Sequence, residues 1–442
     1  MRNFILLISS LVFYAWGEPV YIFLMIFSIV FNYIAGRIIY KFRNFKSKSM
    51  IIFTLTIIIN LGILCFFKYY GFILTNLGML LNVRFTQPKL SLPVGISFYT
   101  FQTMSYIIDV YKGIVPAQKN IISFGTYIAM FPQLIAGPIV RYEDIEDQLS
   151  LRKETFEMFC EGSERFIIGL AKKVLLANNI ALLWNTVKNT PFNELTVLSS
   201  WLGIIAFTFQ IYFDFSGYSD MAVGLGKMFG FDLMENFNYP YISKSATEFW
   251  RRWHISLGSW FKEYVYIPLG GNRKGIKRMY LNLLIVWFLT GFWHGADWNF
   301  ILWGLYYAFF LILEKTFLIK WFKNKPPFIA HLYALLVIII GWVFFEFTNI
   351  NTAFSFIGIM FGFGNHILFD KLTIYLLYTN AILLAFLSIG STPVLKNAVK
   401  SFTGRLKNIV WKASPAYYLI LLILCTAYIV NESYNPFLYF RF

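Results

Sequence analysis

An all-α polytopic membrane protein is the fold class this sequence predicts, and three observations predict it. The 442 residues are 58% hydrophobic, 21% aromatic and only 14% charged, against roughly half apolar and a quarter charged in a soluble domain. Apolar runs close to the ~20 residues of a membrane span recur from one end to the other. The basic residues gather in short loops between those runs, the positive-inside pattern. A β-barrel would show short alternating strands instead. No polar segment is long enough to fold apart, so residues 1–442 read as one membrane domain.

The runs fall near 4–16, 19–40, 50–81, 93–111, 121–138, 166–186, 197–230, 279–293, 298–319, 328–347, 352–364, 372–390 and 416–431. Some are too short to cross alone and others are long enough to bend, so about ten to twelve spans with one or two partial ones are expected. The opening "MRNFILLISSLVFYAWGEP" has the charge and apolar length of a signal peptide but no A-x-A-like cleavage site, and reads as a retained helix. No internal repeat marks an inverted-repeat transporter. Residues 141–165 begin "RYEDIEDQ" and read as an amphipathic helix at the membrane interface. The basic loops Lys41–Lys48, Arg273–Arg278, Lys320–Lys325 and Lys396–Lys412 are placed in the cytoplasm. The net charge of +16 follows from those loops, and no basic face recurs at helical spacing, which argues against nucleic acid as a partner. The partner implied by composition is membrane lipid. Cys65, Cys160 and Cys425 lie far apart, with neither a CxxC pair nor a Cys/His spacing, so no metal site is expected.

Chemistry is sought in the polar residues that interrupt apolar sequence, because ionisable groups inside a membrane are costly and usually functional. His294 lies sixteen residues beyond Arg278, between "LTGFW" and "GADW". At about 1.5 Å per residue it sits some 24 Å along a helix, deep in the membrane or toward its outer leaflet. Gly291 and Gly295 permit close backbone approach beside it, and Trp293 adjoins it. His254 lies in a second Trp-rich stretch, "FWRRWHISLGSWFKEYVYIPLGGNRKG", with Trp250, Arg251 and Trp253. That stretch is too charged for a lipid-exposed span and reads as interfacial, or as dipping into the protein where it lines a cavity. Pro268 ends its helix, Gly270 and Gly271 allow a positive-φ turn, and Arg273 and Lys274 offer positive charge to an anionic donor. A neutral imidazole can take a proton from an attacking hydroxyl and return it to a leaving group. His331 and His366 fall near segment ends and read as interfacial.

A third stretch, "FQIYFDFSGYSDMAVGLGKMFGF", places Asp214, Tyr218 and Asp220 inside an apolar run. The two aspartates are six apart, off any common helical face, and do not form a glycosidase pair. No strand precedes "GLGKMFG", so it is not read as a dinucleotide loop. There is no GxSxG elbow, Walker loop or HExxH, so acyl transfer here would be direct, without a serine nucleophile.

Together with "LPVGISFYTFQTMSYIIDVYKG", "FPQLIAGPIVRYEDI", "ENFNYPYISKSATEFWRRWH", "LTGFWHGADWNFILWGLYY" and the ending "NPFLYFRF", these stretches resemble the membrane-bound O-acyltransferase family. They are most similar to its bacterial branch, the membrane subunit of alginate O-acetyltransferase and related cell-wall acetylation proteins. The resemblance covers nearly the whole chain. It implies a multi-pass protein of the bacterial cell membrane with helices around a central tunnel. It makes His294 the general base and His254 a group that positions the acyl chain or the acceptor. Tyr218, Asp220 and Arg251 become supporting residues, and Asp214, Trp250, Trp253 and Trp293 line the substrate path. It implies no bound cofactor. Acetyl-CoA is the expected cytoplasmic donor and a cell-wall or exopolysaccharide the acceptor, reached through an extracellular SGNH-type acetyltransferase partner. Glu346 in "WVFFEFTN" departs from the branch, where a basic residue is expected. Two alternatives stand beside this reading. One is D-alanyl transfer to teichoic acid from a carrier protein, within the same family. The other is a transporter or flippase with histidines in a proton relay.

Overall fold

The computed structural model describes residues 1–85, 91–135, 137–431 and 436–438. Among them the chain is helical, and the sole strand-like pairing is an isolated antiparallel bridge between Phe237 and Trp253. Among the described residues eight helices are long and apolar enough to cross a membrane. They are Ile22–Lys41, Lys46–Leu81, Phe156–Asn189, Val197–Met228, Trp298–Phe322, Pro327–Glu346, Lys371–Gly390 and Lys407–Asn431. Two shorter apolar helices, Arg2–Gly17 and Ile350–Met360, accompany them. The chain is therefore an all-α polytopic membrane protein.

The fold divides into two compact units. The first comprises Met1–Ser163, Ala222–Met234 and Ser259–Pro268. Its centre is the helix Ile96–Lys112, buried at every position from Ile96 to Ile107. That helix carries Ser97, Thr100, Gln102, Thr103 and Ser105 inward, so its composition is too polar for a lipid-facing span although protein surrounds it on all sides. Its neighbours Ile22–Lys41 and Lys46–Leu81 are joined by a buried amide pair. Asn32 donates to Asn60 Oδ1 at 3.0 Å and Asn60 donates back to Asn32 Oδ1 at 2.8 Å, the kind of polar link that holds helices together in lipid. The second half of the charged Trp-rich stretch belongs here. Trp260 stacks on Phe101 with ring centres 3.8 Å apart and donates to its carbonyl at 3.0 Å, and Tyr264 donates to Asp109 at 2.7 Å. Phe101 and Trp260 are core, and Tyr264 is half-buried beside them.

The second unit comprises Glu164–Met221, Glu235–Gly258 and Leu269–Phe442. Its most intimate contact is the hairpin of Ile276–His294 and Trp298–Leu313. A Cβ on Gly291 would lie 2.2 Å from the carbonyl oxygen of Phe300, and one on Gly304 2.2 Å from that of Trp287. Both neighbours are backbone, so nothing flexible can yield, and small residues are what allow such an approach in lipid. The helix runs unbroken through Gly291 to His294. Gly304→Ala is expected to destabilise the folded protein by about 3 kcal/mol or more, the upper end for an overpacked contact. Thermal unfolding in detergent checks it, and an unshifted midpoint would show that the two helices can part.

Candidate functional site

The hairpin turn places the first histidine. Ile276–His294 ends on His294 because Gly295 adopts extended backbone (φ −165°, ψ 156°), and Asp297 then caps the return helix by accepting from the Trp298 amide at 2.7 Å. His294 is buried and edge-on to Trp303 at 5.0 Å and to Phe345 at 5.5 Å. It lines a cavity with Ile211, Asp214, Phe215, Trp253, Trp303, Trp342, Phe345 and Leu438. The free volume is about 20 Å³, room for about one water.

The second histidine arrives by another route. The helix Ala246–Arg252 stops at Trp253, whose backbone bridges Phe237, while Asn238 donates to the Arg252 carbonyl at 2.9 Å and Ile255 to that of Asn236 at 3.0 Å. Between those bonds His254 takes a left-handed φ of 46°, a conformation that costs a non-glycine residue on the order of 1–3 kcal/mol and tends to mark functional sites. His254 is buried, lies outside the eight spans, and packs edge-on to Phe215 at 4.9 Å. Burial pushes its pKa down to about 3, so the imidazole is neutral at physiological pH.

One indole joins the two. The Trp293 ring centre is 6.0 Å from that of His254 and 5.0 Å from that of His294. Trp253 lines the cavity, and Trp250 packs behind it on Trp287 at 4.7 Å, Tyr307 at 4.9 Å and Trp303 at 5.4 Å. The structure thus brings His254, His294, Trp293, Trp253, Trp250 and Asp214 into one region. It does not bring Arg251 there, which is exposed at the end of its helix. Arg273 and Lys274 are exposed on the turn, where Gly270 and Gly271 take φ of 107° and 55°.

The aspartates part as their spacing requires. Asp214 pairs with buried Lys173 at 2.5 Å and accepts from the Leu438 amide at 2.8 Å. Asp220 accepts from Lys172 at 2.6 Å and from Arg165 at 2.8 and 3.1 Å, outside the cavity lining. Tyr218 meets Phe437 edge-on at 4.9 Å. Glu346 accepts from Lys188 at 2.5 Å and from the Trp184 indole at 3.2 Å.

Three contributors escape a search for histidines and aspartates. Asn236 holds His254 through its side chain. Lys173 neutralises Asp214. Glu314, buried, accepts from the amides of Ala246 and Thr247 at 2.5 and 2.8 Å, the Thr247 hydroxyl at 2.5 Å and the Tyr333 hydroxyl at 3.2 Å, and so ties down the start of the helix that leads to His254. The signal for Lys173 and Glu314 was present, since both are charges inside apolar runs.

The profile of MBOAT, the membrane-bound O-acyltransferase family, matches residues 115–357. The chain is 38% identical to "Probable alginate O-acetylase AlgI" of Azotobacter vinelandii, covering 100% of this chain and 95% of the relative. It is 36% identical to "Peptidoglycan O-acetyltransferase" of Helicobacter pylori over 81% of this chain and 73% of that protein. Similarity to "Teichoic acid D-alanyltransferase" of Bacillus subtilis is 31% over 52% of this chain and 60% of the relative.

Proposed function

The chain belongs to the membrane-bound O-acyltransferase family, and within it we propose that this O-acyltransferase moves an acetyl group from cytoplasmic acetyl-CoA across the bacterial plasma membrane for O-acetylation of an extracellular polysaccharide. The acceptor at the membrane is a hydroxyl, on the glycan or on an extracellular SGNH-type partner transferase. Residues 1–442 act as one membrane domain. What supports the reading most is the pair of buried imidazoles gathered about Trp293.

His294 takes the proton of the attacking hydroxyl. The oxygen then bonds to the thioester carbonyl carbon, the C–S bond breaks, and the proton returns to the sulfur to release the free thiol. His254 positions one of the two reactants. Arg273 and Lys274 attract the anionic donor, whose bulky carrier stays on the cytoplasmic side while only the acyl group crosses. Whole-length similarity to an alginate O-acetylase, against similarity over 52% of this chain to a D-alanyltransferase, favours acetyl over D-alanyl transfer.

The test supplies labelled acetyl-CoA, or separately a D-alanyl carrier protein, to the purified protein in lipid vesicles with its SGNH-type partner. Label is expected on the partner or glycan from acetyl-CoA alone. Transfer from the D-alanyl carrier alone would move the protein to the teichoic acid reaction.

A further inference from the structure

Asn236 makes an unusual number of contacts through one atom. Its side-chain Oδ1 lies 3.2 Å from His254 Nδ1, 3.2 Å from the Ser256 amide nitrogen and 2.9 Å from the Ser256 hydroxyl. The orientation of this amide follows from chemistry. A backbone N–H only donates, so the atom facing the Ser256 nitrogen must be the oxygen; with the amide reversed, two donors would confront each other. The same oxygen faces Nδ1, so Nδ1 must carry the proton. The Ser256 hydroxyl, 3.5 Å from Nδ1, sends its hydrogen to Asn236 and offers Nδ1 only lone pairs. A neutral imidazole protonated on Nδ1 has a bare Nε2. That Nε2 is buried and has no hydrogen-bond partner among the described residues.

A buried acceptor left without a donor costs about 1–3 kcal/mol, and the backbone at His254 adds strain at the same residue. Two unfavourable features held in place by the Phe237–Trp253 bridge and the Asn236 bonds are what a site awaiting a ligand would show.

We infer that Asn236 is a positioning residue for His254: its Oδ1 fixes the imidazole as the Nδ1–H tautomer, so that the bare Nε2 accepts a hydrogen bond from an O–H or N–H group of a bound substrate. The ligand half of this statement rests on the acyl-transfer reading, and the tautomer half does not. Without Asn236 the ring can flip its proton to Nε2, which then repels the substrate donor it should receive.

The chain has four histidines, few enough for nitrogen-15 NMR of histidine-labelled protein in nanodiscs, with His254→Gln identifying the His254 signals. Wild type is expected to show protonated Nδ1 and bare Nε2 at His254. Asn236→Ala is expected to lose that state, whereas Asn236→Asp, which keeps an acceptor oxygen, and Ser256→Ala, which keeps the amide, should retain it. A protonated Nε2 in wild type, or an unchanged tautomer in Asn236→Ala, would overturn the inference whether or not the protein transfers acetyl groups. In turnover, Asn236→Ala is expected to lose roughly 10²-fold, the cost of a misplaced contact, with Asn236→Asp recovering part of it. A raised KM for acetyl-CoA assigns the donor group to the acyl carrier, and a raised KM for the acceptor assigns it to the hydroxyl. A changed tautomer with kcat and both KM values unmoved would overturn the role of Nε2.

Discussion

His294→Ala is expected to slow acetyl transfer by 10²- to 10⁴-fold, the usual contribution of a positioned general base, while donor binding is little changed. The imidazole occupies the last position of an intact helix and is held by ring contacts with Trp293, Trp303 and Phe345. Its removal enlarges an existing cavity, so some loss of stability accompanies the loss of rate. His294→Gln separates the two, because the amide fills much of the same space and forms hydrogen bonds but cannot carry a proton between hydroxyl and sulfur. Both variants are measured by single-turnover transfer at saturating acetyl-CoA alongside thermal unfolding. The expected pattern is two folded proteins, both slowed by about 10²- to 10⁴-fold, with an unchanged KM for acetyl-CoA when its concentration is varied. Transfer by His294→Gln within about threefold of wild type would remove the base, since no proton-transfer role is worth so little.

The sequence made the second unit's polar positions more legible than the contacts that hold them. The helix that carries His294 could be read from the apolar run beyond Arg278, and the structure runs it unbroken from Ile276 to His294. The divergence of Asp214 and Asp220 could be read from their spacing, and the structure gives them different cations, Lys173 and the Lys172–Arg165 pair. The positive-φ turn at Gly270 and Gly271 was written in the residue type. Other features were hidden because they depend on partners far away in the chain. Nothing local to Asn236 shows that its amide meets a histidine eighteen residues on. Nothing local to Glu314 shows that its carboxylate holds the amides of Ala246 and Thr247. The left-handed backbone at His254 is likewise invisible in sequence, since positive φ is uncommon in any non-glycine residue even though histidine is enriched there. The stretch 249–275 looked like a single polar passage, yet Ser259–Pro268 belongs to the first unit and its flanks to the second. The run near 93–111 was legible as the helix Ile96–Lys112, although its side chains, buried against protein, need not be as apolar as those facing lipid.

Lys173 and Asp214 supply the other large expected effect. Both side chains are buried, 8% and 3% exposed, and their charged atoms are 2.5 Å apart. Lys173 also donates to the Pro436 carbonyl at 3.3 Å and sits 4.7 Å from the ring centre of Phe437, while Asp214 accepts from the Leu438 amide. The pair therefore does two things at once. It neutralises two charges in a membrane helix pair, and it fixes residues 436–438, whose Leu438 lines the His294 cavity. Lys173→Met removes the cation 2.5 Å from the buried Asp214 carboxylate and is expected to lower stability by up to about 3–5 kcal/mol. Replacing both by apolar residues of similar size removes that penalty, because a buried pair returns little more than its desolvation cost. The double variant Lys173→Met/Asp214→Leu should then unfold near the wild-type temperature. Its transfer rate is expected to stay at least tenfold down, since the Asp214 oxygen that accepts from the Leu438 amide is gone and a misplaced cavity wall costs rate steeply. Stability and single-turnover transfer measured on the same preparations decide the matter. A double variant that regains both would reduce the pair to scaffolding and take Asp214 out of the site.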